Sequence, residues 1–459
     1  MPAQRFVRQR NVAGPKTAKI AVCPVSSYLA FQRVISMQTI AAPVARHFFG
    51  SRVVRAAFVL AIFGWGVGFY GPPVFLHAVV QHTGWSLALV SAAVTLHFLC
   101  GTFVIVNLPR LHRRMGVAQT IILGSVVTSV GVCGWAVASE PWHLFAAALV
   151  SGAGWVTMGA VAVNAVISPW FVRTRPRALA TAYNGASIGG VIFSPLWVAL
   201  IQSAGFAWAA SAVGVTMVVV LSWMAVRIFA IAPESLGQLP DGDSPVTGAR
   251  CSTGVEADAL SGKRLWRDRA FVTLAAGMAI GLFAQIGLVA HLFSLMAPAL
   301  GGEAAGLAMG GATACAILGR AVAARLLMRN ADRRRVAAGA YGIQAVGSLL
   351  LLLADQERTA LILLGVLLFG SGIGNATSLP PLIAQSDFAE RDVSRVVALI
   401  VAIGQGTYAF APALFGVLLV TIGADGVTGI GAQSVWFFAT AAAIQSVAAV
   451  CLLAGRCKG

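Results

Sequence analysis

Charge is what this chain has least of. Only 10% of its 459 residues are Asp, Glu, Lys or Arg, against about 25% in an ordinary soluble domain. A soluble fold of this size could not cover itself with so little charge. With 58% hydrophobic residues, the remaining surface must face a medium other than water, and bilayer hydrocarbon is that medium. The predicted spans contain no Asp or Glu, which excludes a buried acidic pair. The seven cysteines (Cys23, Cys100, Cys133, Cys251, Cys315, Cys451, Cys457) contain no CxxC pair, so neither a disulfide framework nor a zinc site is indicated. No GxxxxGK[ST] loop for a nucleoside phosphate appears either. These absences speak against an enzyme, and no metal or cofactor is expected.

The charges that exist are clustered. None lies between Arg55 and Arg110, or between Arg177 and Arg227. Shorter uncharged runs fill the intervals Arg114–Glu140, Glu140–Arg173, Arg269–Glu303, Arg358–Asp387, Arg395–Asp425 and Asp425–Arg456. A spanning helix needs about 20 mostly apolar residues, so the two long runs hold two helices each. The expected spans are 56–79, 87–108, 117–138, 144–168, 178–201, 206–226, 271–295, 304–324, 336–354, 359–383, 396–421 and 433–455. The runs are continuous and lack the alternation of membrane strands, so an all-α integral membrane protein is predicted, with twelve transmembrane helices in two six-helix bundles.

Topology follows from the basic residues. Thirty of the 32 Lys and Arg lie before span 1, after the even-numbered spans or after span 12. The opposite loops hold only Arg358, and Arg320 falls inside span 8. The positive-inside rule then places both termini in the cytoplasm of a cell (inner) membrane. The net charge of +17 needs no nucleic-acid partner, because the basic loops lie against anionic headgroups of the lipid bilayer.

The expected organisation is a basic extension over 1–55, an N-terminal bundle over 56–226, a linker over 227–270 and a C-terminal bundle over 271–459. The linker, with Leu239-Pro240-Asp241-Gly242-Asp243-Ser244-Pro245, reads as flexible. The extension has nine basic residues and no acid. It reads as a transit peptide, as a tail, or as sequence upstream of a true start at Met37. The loop Pro109–Gly116 has a basic counterpart at 325–335, and the Arg177/Pro195 pair in span 5 is echoed by Arg395/Pro412 in span 11, as paired bundles with a site between them would have.

Four stretches carry a family resemblance: Gly64-Trp65-Gly66-Val67-Gly68-Phe69-Tyr70-Gly71-Pro72-Pro73, the loop from Pro109 to Gly116, Trp170-Phe171-Val172-Arg173-Thr174-Arg175 continuing to Gly185-Ala186-Ser187-Ile188-Gly189-Gly190, and Gly319-Arg320. From span 1 to span 12 the chain resembles the major facilitator superfamily, and within it the bacterial relatives of the monocarboxylate transporters. The resemblance implies the major facilitator fold and makes Arg110, Arg113, Arg114 and Gly116 a cytoplasmic gate loop. It departs at the groups tied to proton coupling. The gate loop has no acid, span 1 lacks its acidic–Gly opening and its lysine, and Ala316 stands where those transporters carry an aspartate.

Within the spans, Arg320 is the one cation. Intramembrane charge is expensive and faces a cavity or a partner, and a guanidinium fork suits a carboxylate. The plainer reading is snorkelling to the nearby cytoplasmic end. Tyr70, Asn184, Gln285, His291, Asn375, Gln405 and Tyr408 are further candidates for substrate contact or interhelical glue. His77, His97 and His291 are candidates for a relay that would bring in a coupling proton, each set against a neutral histidine bonded between helices. Gln285 and His291, six residues apart, fall on different faces of span 7. Together these features predict a secondary transporter of a small organic molecule, with a monocarboxylate or related anion the first choice. A neutral or cationic solute, or a membrane sensor on the same fold, is the alternative.

Overall fold

The structure, a computed structural model, describes residues 48–242, 265–422, 429–431 and 434–455. The basic extension up to residue 47, with Met37, and the linker residues 243–264 lie outside the described residues. Among the described residues, twelve helices are long and apolar enough to cross a membrane. They are α1 (Gly50–Thr83), α2 (Leu87–Met115), α3 (Val117–Ala136), α4 (Pro141–Ile167), α5 (Arg175–Ala204), α6 (Phe206–Phe229), α7 (Arg269–Leu300), α8 (Gly302–Met328), α9 (Arg333–Leu353), α10 (Thr359–Asp387), α11 (Arg395–Val420) and α12 (Val435–Ala454). Each matches one expected span, and no strand occurs among the described residues. Most helices run past the expected ends, because their terminal turns carry the polar residues that the apolar runs exclude. Asp268 and Asp332 cap α7 and α9 through backbone N–H groups of Phe271, Arg334 and Arg335.

Three helices are broken where chemistry will matter. α1 interrupts at Phe69–Tyr70, just before Pro72 and Pro73. α4 passes through a short 3-10 turn at Val156–Met158 into Gly159. α11 breaks at Ala409–Phe410, ahead of Pro412. Proline cannot donate to the helical ladder, so the breaks in α1 and α11 fall beside it, whereas the turn in α4 has no proline and ends at Gly159.

Helix neighbours follow one pattern in both halves. In the first, α1 packs on α5, α2 on α4, and α3 on α4 and α6; in the second, α7 packs on α11, α8 on α10, and α9 on α10 and α12. The two bundles meet along two seams that the same symmetry interchanges, α5 against α8 and α11 against α2. A further contact joins α1 to α7 through the His77 and Phe293 rings, 5.0 Å apart and perpendicular.

The first part of the linker is not loose. Residues 233–236 and 240–242 form short turns. Asp241 accepts hydrogen bonds from the backbone N–H groups of Val172 (3.0 Å), Arg173 (2.7 Å) and Thr174 (3.0 Å), and from the Thr174 hydroxyl. Gln238 accepts from the Phe49 N–H at 3.0 Å. A composition rich in Pro and Gly hides this, because the ordering comes from a carboxylate meeting three free amides ahead of α5.

Candidate functional site

Twelve crossings return the chain to its starting side, so the beginning of α1 and the end of α12 share one face, called here the termini face. On the opposite, far face the bundles are in close contact along both seams. Gly302, Gly306 and Gly310 recur every fourth residue along one side of α8 and lie against α5. A Cβ at these positions would come within 2.2 Å of Gln202 Nε2, 3.0 Å of Val198 Cγ2 and 3.0 Å of the Val191 carbonyl oxygen, respectively. Small residues at that spacing let two helices approach backbone to backbone. The other seam is also tight. A Cβ on Gly416 would lie 2.5 Å from Ser91 Oγ, and the Ala413 N–H donates to Thr95 Oγ1 at 2.9 Å.

Towards the termini face the same helix sides come into the open. On α5, Val198 and Ser187 are buried against α8, whereas Asn184 and Ala180, one and two turns further on, are exposed. On α8, Gly306 and Thr313 are buried, but Ala321 and Ala324 are exposed. The face of α8 towards α10 stays packed throughout, since Cβ atoms on Gly319 and Gly370 would strike Ser371 and Ala312 backbone. A cleft therefore opens between the bundles on the termini face and ends at mid-depth.

At the end of that cleft lies Arg320. Its aliphatic stem runs over Gly374 of α10, where a Cβ would be 2.9 Å from Arg320 Cγ. Its guanidinium crosses the seam and donates to Ser187 Oγ of α5. Tyr70, at the break of α1, stands within electrostatic reach of it. Tyr70 in turn fills the space left by Gly190, beside Thr313. No carboxylate pairs with Arg320 among the described residues. From Tyr70 a row of rings closes the cleft: Phe69 (5.1 Å), Phe98 (6.1 Å from Phe69) and Tyr408 (5.9 Å from Phe98). Gln405 adjoins Tyr408. The arrangement offers a charged donor fork at one end, an aromatic wall beside it and hydroxyls at the edge. It can hold a small molecule that carries a carboxylate and a compact apolar body.

The structure thus sets Tyr70 near Arg320 and links it to Tyr408 only through the Phe69 and Phe98 rings, and Asn184 is exposed on α5 one turn from Ser187. Asn375 is buried on α10, its Oδ1 without a hydrogen-bond partner among the described residues. Other candidates are occupied elsewhere. Gln285 accepts from Gln344 Nε2 at 3.1 Å, inside the second bundle between α7 and α9. His97 bonds Gly68 O at 3.0 Å through Nε2 and Ser151 Oγ at 2.9 Å through Nδ1. A carbonyl only accepts, so Nε2 carries the proton and the ring ties α2 to α1 and α4. His291, fully buried, donates from Nε2 to Pro412 O at 2.9 Å, beside the break in α11. His77 borders a separate cavity of about 590 Å³ on the far face, with Gln81, His82 and Gln202. Of the stretch expected to be a gate loop, Arg110, Arg113 and Arg114 are instead exposed on the last turns of α2, and only Gly116 joins α2 to α3, at φ +82°, ψ 158°, a conformation open essentially only to glycine.

Three features escape a reading by residue type. Ser187 and Thr313 look like packing serine and threonine until the fold sets them beside Arg320 and Tyr70. The i, i+4 spacing of Gly302, Gly306 and Gly310 is visible in the chain, but its partner, α5, is not. A third is the ion pair Arg334 Nε–Asp387 Oδ2 at 2.7 Å. Arg334 also donates to Ala270 O (2.7 Å), Thr273 Oγ1 (3.1 Å) and Leu452 O (3.2 Å), so one buried guanidinium ties α7, α9, α10 and α12 at the termini face.

Comparison with known proteins agrees with this architecture. The family model described as Major Facilitator Superfamily matches residues 56–412. Among solved structures, the nucleoside transporter NupG is similar at TM-score 0.66 and 11% identity, over 89% of this chain and 98% of that one. A bacterial homolog of the human lysosomal transporter Spinster, solved inward-facing and unoccupied, gives 0.62 and 14%, over 89% and 99%. A peptide transporter POT in complex with sulfate gives 0.65 and 13%, over 88% and 94%. At these identities the structures share the fold with this chain. A search of curated proteins finds no match.

Proposed function

The chain belongs to the major facilitator superfamily, and from that premise we propose that it carries a small organic anion, a monocarboxylate or a close relative, across the membrane by alternating access. It is a multi-pass membrane transporter rather than an enzyme. The anion assignment rests on one observation: the guanidinium of Arg320 ends the cleft with no carboxylate partner among the described residues and with the Tyr70–Tyr408 ring row beside it. A neutral solute would leave that charge to a serine alone, while a carboxylate accepts two of its donors at once. The positive-inside asymmetry supports a cytoplasmic termini face, which makes the cleft inward-open and the glycine seam external. The bilayer is then the inner membrane, and the solute leaves or enters the cytoplasm past Asn184 and Gln405. Coupling to a proton has less support here, since His97 and His291 already hold backbone carbonyls.

The test is ligand-induced thermal stabilisation of the purified protein, which reports binding to the folded state. Small monocarboxylates should raise the melting temperature of the wild type, and their amides should not. Arg320→Ala should lose the shift. Arg320→Lys should weaken binding roughly tenfold or more, because a point charge does not replace the fork and a charged hydrogen bond contributes about 1.5–3 kcal/mol. Equal shifts by carboxylate and amide would move the assignment to a neutral solute.

A further inference from the structure

A shallow groove of about 520 Å³ lies on the outside of α2, away from the transport cleft, lined by Cys100, Phe103, Val104, Asn107, Arg110, Leu111 and Arg114. All seven come from one helix. At about 100° per residue, this stripe sits roughly half a turn round from Ser91, Thr95 and Phe98, the residues that α2 turns to α11. The groove therefore opens to the bilayer and not to the cleft.

The stripe has two chemical ends. Towards mid-membrane it is apolar, and Phe103 is 72% exposed. Towards the termini face it ends in the exposed Arg110 and Arg114, one helical turn apart. Asn107 Oδ1 accepts from Arg110 Nη1 at 3.1 Å and so holds that guanidinium along the groove. No acid precedes Glu140 in the whole chain, and Glu140 starts α4 at the far face. Neither arginine forms an ion pair with a later carboxylate among the described residues. From Cys100 to Arg110 the helix rises about 15 Å, which is the hydrocarbon depth of one leaflet.

We infer that this groove is a binding site for one anionic phospholipid of the leaflet at the termini face, its headgroup on Arg110 and Arg114 and one acyl chain along Leu111, Val104 and Phe103. The match in charge selects the headgroup and the match in length selects a lipid over a soluble phosphate.

Native mass spectrometry of the full-length protein, exchanged into phosphatidylglycerol, phosphatidylcholine or glycerol phosphate, tests this. The wild type should retain one phosphatidylglycerol more than an Arg110→Gln/Arg114→Gln variant, whose affinity should fall about thirtyfold at about 1 kcal/mol per arginine. An Arg325→Gln/Arg329→Gln variant, which removes two exposed arginines from the end of α8, should retain as much as the wild type. Phe103→Gln, which keeps both arginines, should also lose lipid, and this separates an acyl-chain site from a charge patch. Equal retention by wild type and the 110/114 variant would overturn the site. Displacement of the lipid by glycerol phosphate would overturn the lipid assignment, and equal retention of phosphatidylcholine would overturn the role of headgroup charge.

Discussion

At the scale of single residues, Arg320 and Ser187 join the two bundles. The guanidinium is held by the serine of the opposite bundle, so a carboxylate bound as proposed would compete with Ser187 Oγ for the same donors. Ser187→Ala removes the competitor and leaves Arg320 free. Carboxylate binding should then tighten, by up to about tenfold for one charge-assisted bond, and isothermal titration would show it. Weaker binding would mean that Ser187 touches the substrate itself. Arg320 could be picked out in the chain because a lone cation in an apolar span stands out against its neighbours. Ser187 could not, since serine in a span bonds its own helix or a neighbour equally well. Gln285 and His97 show the converse. Their polarity marked them as candidates, but Gln344 in one case and Gly68 with Ser151 in the other hold them as glue. Which side chain meets which depends on helix rotation, and the apolar runs do not encode it.

At the scale of helices, alternating access needs one seam that opens and one that does not. α8 shows both. Gly319, Gly370 and Gly374 lock it to α10 along its length, while Gly302, Gly306 and Gly310 hold it to α5 only over the far half. Gly306→Leu should wedge the α5 seam apart at Val198 and Pro195. A cysteine placed at Gln202 should then react faster with an impermeant thiol reagent from outside, and uptake should fall steeply. Unchanged labelling would show that the seam absorbs the side chain. Asp241 holds the loop ahead of α5. The Thr174 hydroxyl first, and then the amides of Arg173, Thr174 and Val172, hold its carboxyl well below the ordinary range. A depressed carboxylate contributes its stability above the unfolded value, near pH 4, and loses it as pH falls through the folded one. Between pH 5 and 8 the strap should therefore be constant. Asp241→Asn should weaken it at neutral pH and speed amide exchange at Val172, Arg173 and Thr174. Exchange no faster than in the wild type would assign those amides another protector.

At the scale of the molecule, twelve helices were readable as charge-free runs because hydrocarbon tolerates so few charges that the loops mark themselves. The basic residues Arg110, Arg173, Arg325 and Arg395 mark the termini-face ends of helices in register, so the six-plus-six order was readable as well. The cleft was not, since its walls are α2, α5, α8 and α11, and no sequence interval relates them. In the proposed function this cleft carries a carboxylate on Arg320. Flux into proteoliposomes tests it most directly, because a sensor on the same fold would bind solute without moving it. With wild-type protein, a labelled small monocarboxylate should enter against unlabelled substrate trapped inside, its amide should not compete, and Arg320→Ala should reduce entry to the level of empty vesicles. Carboxylate uptake by Arg320→Ala at the wild-type rate, or binding by the wild type with no flux at all, would contradict it.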